Sequence, residues 1–274
     1  MNFNDYKYER VDINHTKKKF SSLIKLFSES KNIQEQIKYM DEVIKLRNHV
    51  DTMTTLVSIR HSINTNDEFY DNENEYCDEI SPIIFSFVTD FYKALINSKF
   101  RKELEEKYGK FLFDIAELSL KTFDEKIIND LQNENKLSSK YSKLIASAKI
   151  PFDGEDRNLS QMTPYTQSKD RNVRIEASKK VAHFFKKNKK KFDDIYDSLV
   201  KLRTNIAQKL GFKNYVELGY ARLLRIDYNS EMVSSYREQV LKYIVPLHTE
   251  LKKRQEKRLG LDKLSFYDEP IKFN

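Results

Sequence analysis

The sequence is poor in cysteine, glycine and proline, and each shortage removes a class of structure. Its single cysteine, Cys77, excludes an internal disulfide framework and any metal site built from several cysteines. No histidine-containing motif surrounds Cys77 to lower the pKa of its thiol, so we interpret it as a small, partly buried apolar side chain rather than a nucleophile. Only five glycines and five prolines interrupt 274 residues, while charged residues make up 33% of them. This composition favours long amphipathic helices over a strand-rich fold.

Long apolar segments are missing as well. The first residues contain no basic stretch that leads into an apolar run, so we expect no signal peptide. The longest apolar-rich stretch, Ile80 to Ile96, is interrupted by Pro82, Asp90 and Lys93. It is too short and too polar to span a bilayer. We therefore expect no membrane partner and, by default, a cytoplasmic location.

Positive and negative charges are unevenly distributed along the chain. Residues 1–137 contain 20 Lys and Arg against 25 Asp and Glu, a net charge of −5, whereas residues 138–274 contain 29 against 17, a net charge of +12. The basic half is compatible with nucleic-acid binding. It is equally compatible with an acidic counterpart on a partner surface or in a missing segment.

Apolar residues of the first 148 positions repeat at helical spacing. The pattern predicts a short helix over residues 16–30 and then two long helices that pack antiparallel, since their connection is short. Further helices are predicted up to residue 148, with breaks near Gly109 and around residues 121–124. The buried stripes of the two long helices are Val43, Leu46, Val50, Met53 and Val57, and Ile80, Ile84, Phe87 and Phe91.

An Asp-Gly pair, Asp153-Gly154, lies between short apolar-flanked arms and predicts a hairpin. We therefore predict an all-α fold, mainly long antiparallel helices, with one small β-hairpin near residues 148–160. The hairpin also marks the predicted domain boundary. Residues 1–147 are the N-terminal helical subdomain with the long helical hairpin, and residues 148–274 contain the β-hairpin and a further helical region.

The C-terminal part predicts one long helix that starts at the capping segment 168–170 and is closed by Gly211. A shorter helix is predicted from Asn214 to about Leu224, and another from Ser230. Pro246 either kinks this last helix or ends it. No closing helix or strand is predicted for residues 260–274.

Motifs of the common catalytic and nucleotide-binding sites are absent from these 274 residues. There is no Gly-rich phosphate loop, no Gly-x-Ser-x-Gly and no His-Glu-x-x-His. Neighbouring carboxylates such as Glu105 with Glu106, and Asp193 with Asp194, have the pattern of exposed helix residues. No two of the histidines lie four residues apart on a predicted helix, so no shared metal site is indicated; they are His15, His49, His61, His183 and His248.

The strongest basic patch is the run His183–Phe192, which contains five lysines. Lysines can bind phosphates without reading sequence. Helical spacing, however, spreads these lysines over the polar side while Phe184, Phe185 and Phe192 turn inward. We therefore favour a solvated helix face over a nucleic-acid site, because single-strand binding needs exposed aromatic platforms.

One ordered set of segments in the second half of the sequence is distinctive: Lys149–Gly154, Ser168–Arg174, Asp193–Arg203, Ala207–Tyr215, Glu217–Arg222, Arg225–Tyr228, Tyr236-Arg237 and Val245–Leu247. In order and spacing, these segments resemble the oligoendopeptidase F-like zinc metallopeptidases of the thimet oligopeptidase family. The resemblance covers the whole chain and is most specific from about residue 145 onward.

The resemblance implies a mostly helical peptidase whose two halves enclose a channel for short peptide substrates. It also implies a zinc cofactor, held by two histidines of a His-Glu-x-x-His helix and a downstream glutamate, with the motif's own glutamate as general base. This sequence resembles the N-terminal half only. No catalytic residue, zinc ligand or substrate-binding residue is carried over to it, so we expect it to be inactive alone and to have the missing C-terminal catalytic half as its partner.

The densest polar and aromatic cluster comprises Tyr215, Tyr220, Arg222, Arg225 and Tyr228. It either lines the channel or braces helix junctions, and we favour bracing because buried tyrosines seek polar partners.

Three functions follow from the sequence. The first is a portion of a zinc oligoendopeptidase. The second is a non-catalytic helical protein that binds peptides or acts as a scaffold. The third, which we disfavour, is a basic nucleic-acid-binding protein.

Overall fold

The computed structural model describes residues 2–273 and consists mainly of α-helices. The predicted all-α class with one small hairpin is confirmed. Short 3₁₀ turns cover Phe3–Asp5, Glu125–Ile127 and Phe266–Asp268. The helices are α1 (Ile13–Glu29), α2 (Ile33–Ile63), α3 (Glu68–Ile96), α4 (Arg101–Tyr108), α5 (Lys110–Lys121), α6 (Ile128–Ala146), α7 (Thr163–Thr166), α8 (Arg171–Lys187), α9 (Lys189–Lys209), α10 (Tyr215–Arg222), α11 (Ser230–Gln239) and α12 (Val245–Arg258); the strands are β1 (Ile150–Phe152) and β2 (Glu155–Arg157).

Side-chain caps start the first helices. Asp12 accepts hydrogen bonds from the amides of Asn14 and His15 and so begins α1 three residues before the start that spacing predicts. Asn32 and Asp67 cap α2 and α3 in the same way. Each cap satisfies amides that a helix N-terminus leaves without a partner.

Helices α2 and α3 run antiparallel, as predicted. Two hydrogen bonds join the helices themselves, since Arg47 donates to the Tyr92 hydroxyl and Arg60 to the Tyr70 hydroxyl. A third, from Ser98 Oγ just after α3 to Gln36 Oε1, continues the same reversed order along the chain. The predicted stripes of both helices are buried, and α1 packs against them through Phe20 and Phe27. This apolar core fixes the first half of the chain.

The break between α4 and α5 and the turn of the β-hairpin lie at residues whose backbone has a positive φ. Gly109 has a φ of +86° and separates α4 from α5. Asp153 and Gly154 also have positive φ, and they form the two-residue turn of the hairpin, in which Ile150 pairs with Arg157. The predicted breaks and the hairpin are therefore confirmed.

The predicted single helix from residues 168–170 to Gly211 is wrong. It is interrupted at Asn188, whose backbone and side-chain amides both donate to the Phe184 carbonyl and end α8. The Asn188 carbonyl then accepts the amides of Lys191 and Phe192, and α9 begins at Lys189. The inward orientation expected of Phe185 is also wrong, since 40% of this residue is exposed.

Pro246 neither ends its helix nor leaves it regular. A π-helical turn over Val240–Ile244 connects α11 to α12, and the Val245 amide donates to the Val240 carbonyl. Such a turn accommodates the amide that proline lacks. Residues 260–273, for which no closing element was predicted, contain the 3₁₀ turn Phe266–Asp268.

The described residues form two compact units. Unit 1 contains the residues up to 139 and residues 198–227, and unit 2 contains residues 140–197 and those from 228 on. The division at residues 147/148 that the sequence indicates stays a prediction. None of the described helices combines the length and the apolar character that crossing a bilayer requires.

Candidate functional site

Unit 1 contains a pocket of about 590 Å³ with an apolar wall and a polar rim. Side chains of α2, α3, α5, α6 and α10 line it. The combination of apolar walls with a few polar groups is typical of ligand sites in proteins. The apolar lining is Pro82, Phe85, Val88, Leu112, Ile115, Leu131 and Leu224, and the polar part of the lining, which we call the rim, includes Arg47, Tyr92, Asn135 and Arg222.

One wall of the pocket depends on a proline inside α3. Pro82 has no amide hydrogen, so the carbonyl of Asp78, four residues earlier, receives no helical hydrogen bond from it. The side chain of Asn135 on α6 donates to that carbonyl at 3.0 Å. Gln132 likewise donates to the neighbouring carbonyl of Glu79 at 2.8 Å. These bonds fasten α6 to α3 beside the pocket.

A buried carboxylate orients the arginine on the rim. Glu134 has a side chain that is only 6% exposed. Its carboxylate accepts hydrogen bonds from Arg222 at 2.8 and 3.3 Å and from Arg203 at 2.6 Å. The carboxylate balances only one of the two guanidinium charges. A net positive charge therefore remains next to the pocket.

Arg47 is the second arginine of the rim. Its guanidinium donates to the Tyr92 hydroxyl at 3.1 Å and lies 3.5 Å from the Asp51 carboxylate. Sequence reasoning missed Arg47 and Tyr92, which are 45 positions apart. Only the antiparallel pairing of α2 with α3 brings them together.

The polar cluster predicted between Tyr215 and Arg225 lies in unit 1 and is held by cation–π contacts and ion pairs. The guanidinium of Arg203 lies 5.5 Å from the Tyr215 ring centre, and that of Arg225 lies 4.5 Å from the Tyr220 ring centre. Such contacts agree with the bracing interpretation. A role in peptide contact stays a prediction.

Tyr228, the last member of that cluster in the sequence, belongs to unit 2 and is 40% exposed. It is therefore considered apart from the other four residues.

The histidines form no metal-binding group. His61 is buried, and its Nε2 lies 3.1 Å from the Asp71 carboxylate. Over residues 2–273, no three His, Cys, Asp or Glu side chains are placed to hold a metal ion. The prediction that this part of the chain supplies no catalytic residue and no zinc ligand stays a prediction.

Cys77 has the environment of an unreactive thiol. Burial, with the nearby carboxylates of Glu73 and Asp78, raises the pKa of the Cys77 thiol to about 11. The thiol is therefore protonated at neutral pH, which agrees with its interpretation as a partly buried apolar side chain.

Comparison with known proteins decides the family. A model of the peptidase M3 N-terminal domain matches residues 3–123, and a model of peptidase family M3 matches residues 164–270. The chain belongs to peptidase family M3. This confirms the resemblance found in the sequence, and the members of this family are metallopeptidases.

Solved structures of family members superpose closely on the chain. A Bacillus anthracis str. Ames protein assigned to oligoendopeptidase F is 50% identical, with a TM-score of 0.96, over 100% of this chain and 50% of its own. PZ peptidase A, solved with an inhibitor, is 51% identical, with a TM-score of 0.97, over 99% of this chain and 48% of its own. The chain thus spans about half the length of these relatives.

A more distant structure shows the fold alone. Oligoendopeptidase-F from Enterococcus faecium is 14% identical, with a TM-score of 0.68, over 96% of this chain and 56% of its own. A search of curated proteins found no match.

Proposed function

We propose that this chain is the N-terminal portion of a zinc-dependent oligoendopeptidase that hydrolyses short peptides. The observation that carries the proposal is the ordered match to two M3 family models, together with 50% identity over half of a solved oligoendopeptidase F-like structure. The chain contributes helical scaffold and peptide contacts, and it is inactive alone. The cytoplasmic location stays a prediction from the sequence.

Residues 2–273, the part that the structure describes, do not fit a zinc site by themselves. Zinc in peptidases is held by three protein ligands, usually histidines and a carboxylate. Residues 2–273 offer no such group, and His61, the buried histidine, is paired with Asp71. We therefore assign no catalytic step to these residues and place the zinc ligands in the complementary half of the enzyme.

An exposed apolar stripe supports the presence of that complementary half. Along α11, the π-helical turn and α12, no apolar residue is buried. A helix in water is stabilised chiefly by burying an apolar face, so this segment lacks the usual source of stability. The exposed residues at helical spacing, which we call the apolar stripe, are Met232, Tyr236, Tyr243, Leu247 and Leu251.

We propose that the C-terminal catalytic half covers the apolar stripe. Relatives twice as long as this chain contain enough further polypeptide to do so. The test is association of the chain with the remaining half of the Bacillus anthracis relative, measured by light scattering after chromatography. Tyr243→Glu prevents association, whereas Phe111→Glu, at an exposed aromatic of unit 1, leaves it intact. Equal behaviour of the two variants contradicts the proposal.

The pocket of unit 1 is our candidate for peptide contact. Its apolar wall suits an apolar side chain, and the net charge next to its rim suits a peptide carboxylate. Ile115→Trp narrows the pocket and weakens binding of short peptides to the chain, measured by fluorescence anisotropy. Ile63→Trp, on an exposed side chain outside the lining, serves as control. Equal affinities of the two variants contradict this role.

The second candidate function is that of a non-catalytic protein, which binds peptides in the same pocket but does not hydrolyse them. It predicts that peptides bind and stay intact even when the complementary half and zinc are supplied. Hydrolysis under those conditions decides for the peptidase.

A further inference from the structure

Unit 2 contains a second pocket, of about 550 Å³, which is lined by bases and by no acid. It lies on the hairpin strand β1 and on the adjoining ends of α8 and α9. Ile150 and Phe184, both buried, contribute its apolar lining. We call it the lysine pocket after its four lysines, Lys149, Lys180, Lys187 and Lys191, which His183 accompanies.

Two separate segments bring the four ammonium groups to this concave surface. Lys149 precedes the hairpin strand, whereas Lys180, Lys187 and Lys191 recur at helical spacing on α8 and α9 across the break at Asn188. A solvated helix face alone, the interpretation favoured from the sequence, does not account for the fourth lysine. Concave surfaces of one charge sign concentrate the electrostatic potential and attract counter-ions.

Neighbouring lysines on the same helices, outside the pocket, form ion pairs with acids. Lys179 pairs with Glu176 at 2.9 Å, Lys190 pairs with Asp194 at 2.8 Å, and Lys189 pairs with Asp193. Among residues 2–273, by contrast, no carboxylate lies within ion-pairing distance of any lysine of the pocket. The acids of α8 and α9 that pair with these neighbouring lysines do not line the pocket, and its four lysines form no ion pair with any described residue.

The composition of the pocket indicates the chemistry of its ligand. Lysine binds phosphate as a point charge, whereas recognition of a planar carboxylate favours the two-pronged guanidinium of arginine, which is absent from the lining. The volume of the pocket, about 550 Å³, suits a small molecule rather than a macromolecule. We infer that the lysine pocket binds a small polyphosphate anion, either inorganic or carried by a nucleotide. This inference is independent of the peptidase proposal.

The test is calorimetric titration of the 274-residue chain with inorganic tripolyphosphate. The double variant Lys187→Gln with Lys191→Gln weakens binding about tenfold or more, since two direct charge contacts are lost. The matched control, Lys189→Gln with Lys190→Gln, removes the same charge from the same region outside the pocket and changes the affinity less than about twofold. Circular dichroism establishes that both variants keep the helical fold.

Further titrations distinguish the sources of the anion. If ATP and tripolyphosphate bind equally, the phosphate chain is the recognised group, and if ATP binds more tightly, the site also accepts a nucleoside. Absence of tripolyphosphate binding, equal weakening in both double variants, or tighter binding of a single-stranded oligonucleotide through the same lysines overturns the inference.

Discussion

Asp268 is the side chain whose replacement tests the structure of unit 2 most sharply. Its carboxylate is fully buried. It accepts hydrogen bonds from Arg171 at 3.0 and 2.8 Å, from Arg174 at 2.9 Å and from the Ser265 amide at 3.1 Å. Asp268→Asn keeps the shape of the side chain but removes its charge. It also turns an amide donor toward groups that are themselves donors.

The loss of folding stability expected for Asp268→Asn depends on how exposed Arg171 and Arg174 are. Removing one partner of a buried ion pair costs about 3–5 kcal/mol, because the other charge stays buried without compensation. The side chain of Arg174 is 4% exposed and cannot regain water, whereas that of Arg171 is 40% exposed and can. We therefore expect a loss near the lower end, about 3 kcal/mol, or a fall in melting temperature of roughly 6–12 °C.

The stability that the Asp268 carboxylate contributes decreases as the pH falls. The two guanidinium groups hold the pKa of Asp268 well below its usual range. A carboxyl whose pKa is lower in the folded state contributes stability that is complete above its unfolded pKa of about 3.9 and is lost as the pH falls toward the folded value. The free-energy difference between wild type and Asp268→Asn is therefore constant near neutrality and shrinks below about pH 4.

The assay is urea unfolding, with hydrogen exchange at the start of α8 as a local readout. Glu269→Gln is the matched control, since Glu269 is the adjacent acid, is 57% exposed and lies 3.4 Å from Lys252. Such a surface pair contributes about 1 kcal/mol or less. If Asp268→Asn destabilises no more than Glu269→Gln, the reasoning about the buried pair is refuted.

Three further predictions concern unit 1. Glu134→Gln leaves two arginines with one neutral partner, so unfolding in urea needs about 2 kcal/mol less free energy; an unchanged midpoint contradicts the network. Cys77, with a pKa of about 11, reacts with iodoacetamide far more slowly at pH 7 than a free cysteine, as mass spectrometry measures; an equal rate is contrary evidence. Phe27→Ala empties a fully buried site and costs about 3–5 kcal/mol in thermal unfolding; a loss below about 1 kcal/mol removes Phe27 from the core.

The spacing of apolar residues predicted much of the fold. The stripe from Val43 to Val57 on α2 and the stripe from Ile80 to Phe91 on α3 are buried as predicted, because a long helix must turn one face to the core. The break at Asn188 was not predicted. Asparagine is tolerated within helices, so its residue type alone does not mark a helix end; here a non-helical backbone and a side-chain hydrogen bond to the Phe184 carbonyl end α8.

The sites depend on contacts between distant positions, which local patterns do not contain. Glu134 looks like an ordinary exposed helix acid in the sequence, and its burial follows only when Arg203 and Arg222 reach it from 69 and 88 positions away. Lys149 likewise comes close to the basic run of residues 183–192 only because the hairpin packs on α8. The sequence revealed this basic run but not the lysine pocket that it helps to form.

The central claim is that this chain is a peptidase portion whose chemistry needs the complementary half. The most direct measurement is hydrolysis of a quenched fluorescent peptide by the purified chain, with zinc, before and after addition of the remaining half of the Bacillus anthracis relative. We predict no cleavage by the chain alone and zinc-dependent cleavage by the mixture that exceeds the activity of the added half alone. Zinc-dependent cleavage by the chain alone, or no gain on mixing, contradicts the claim.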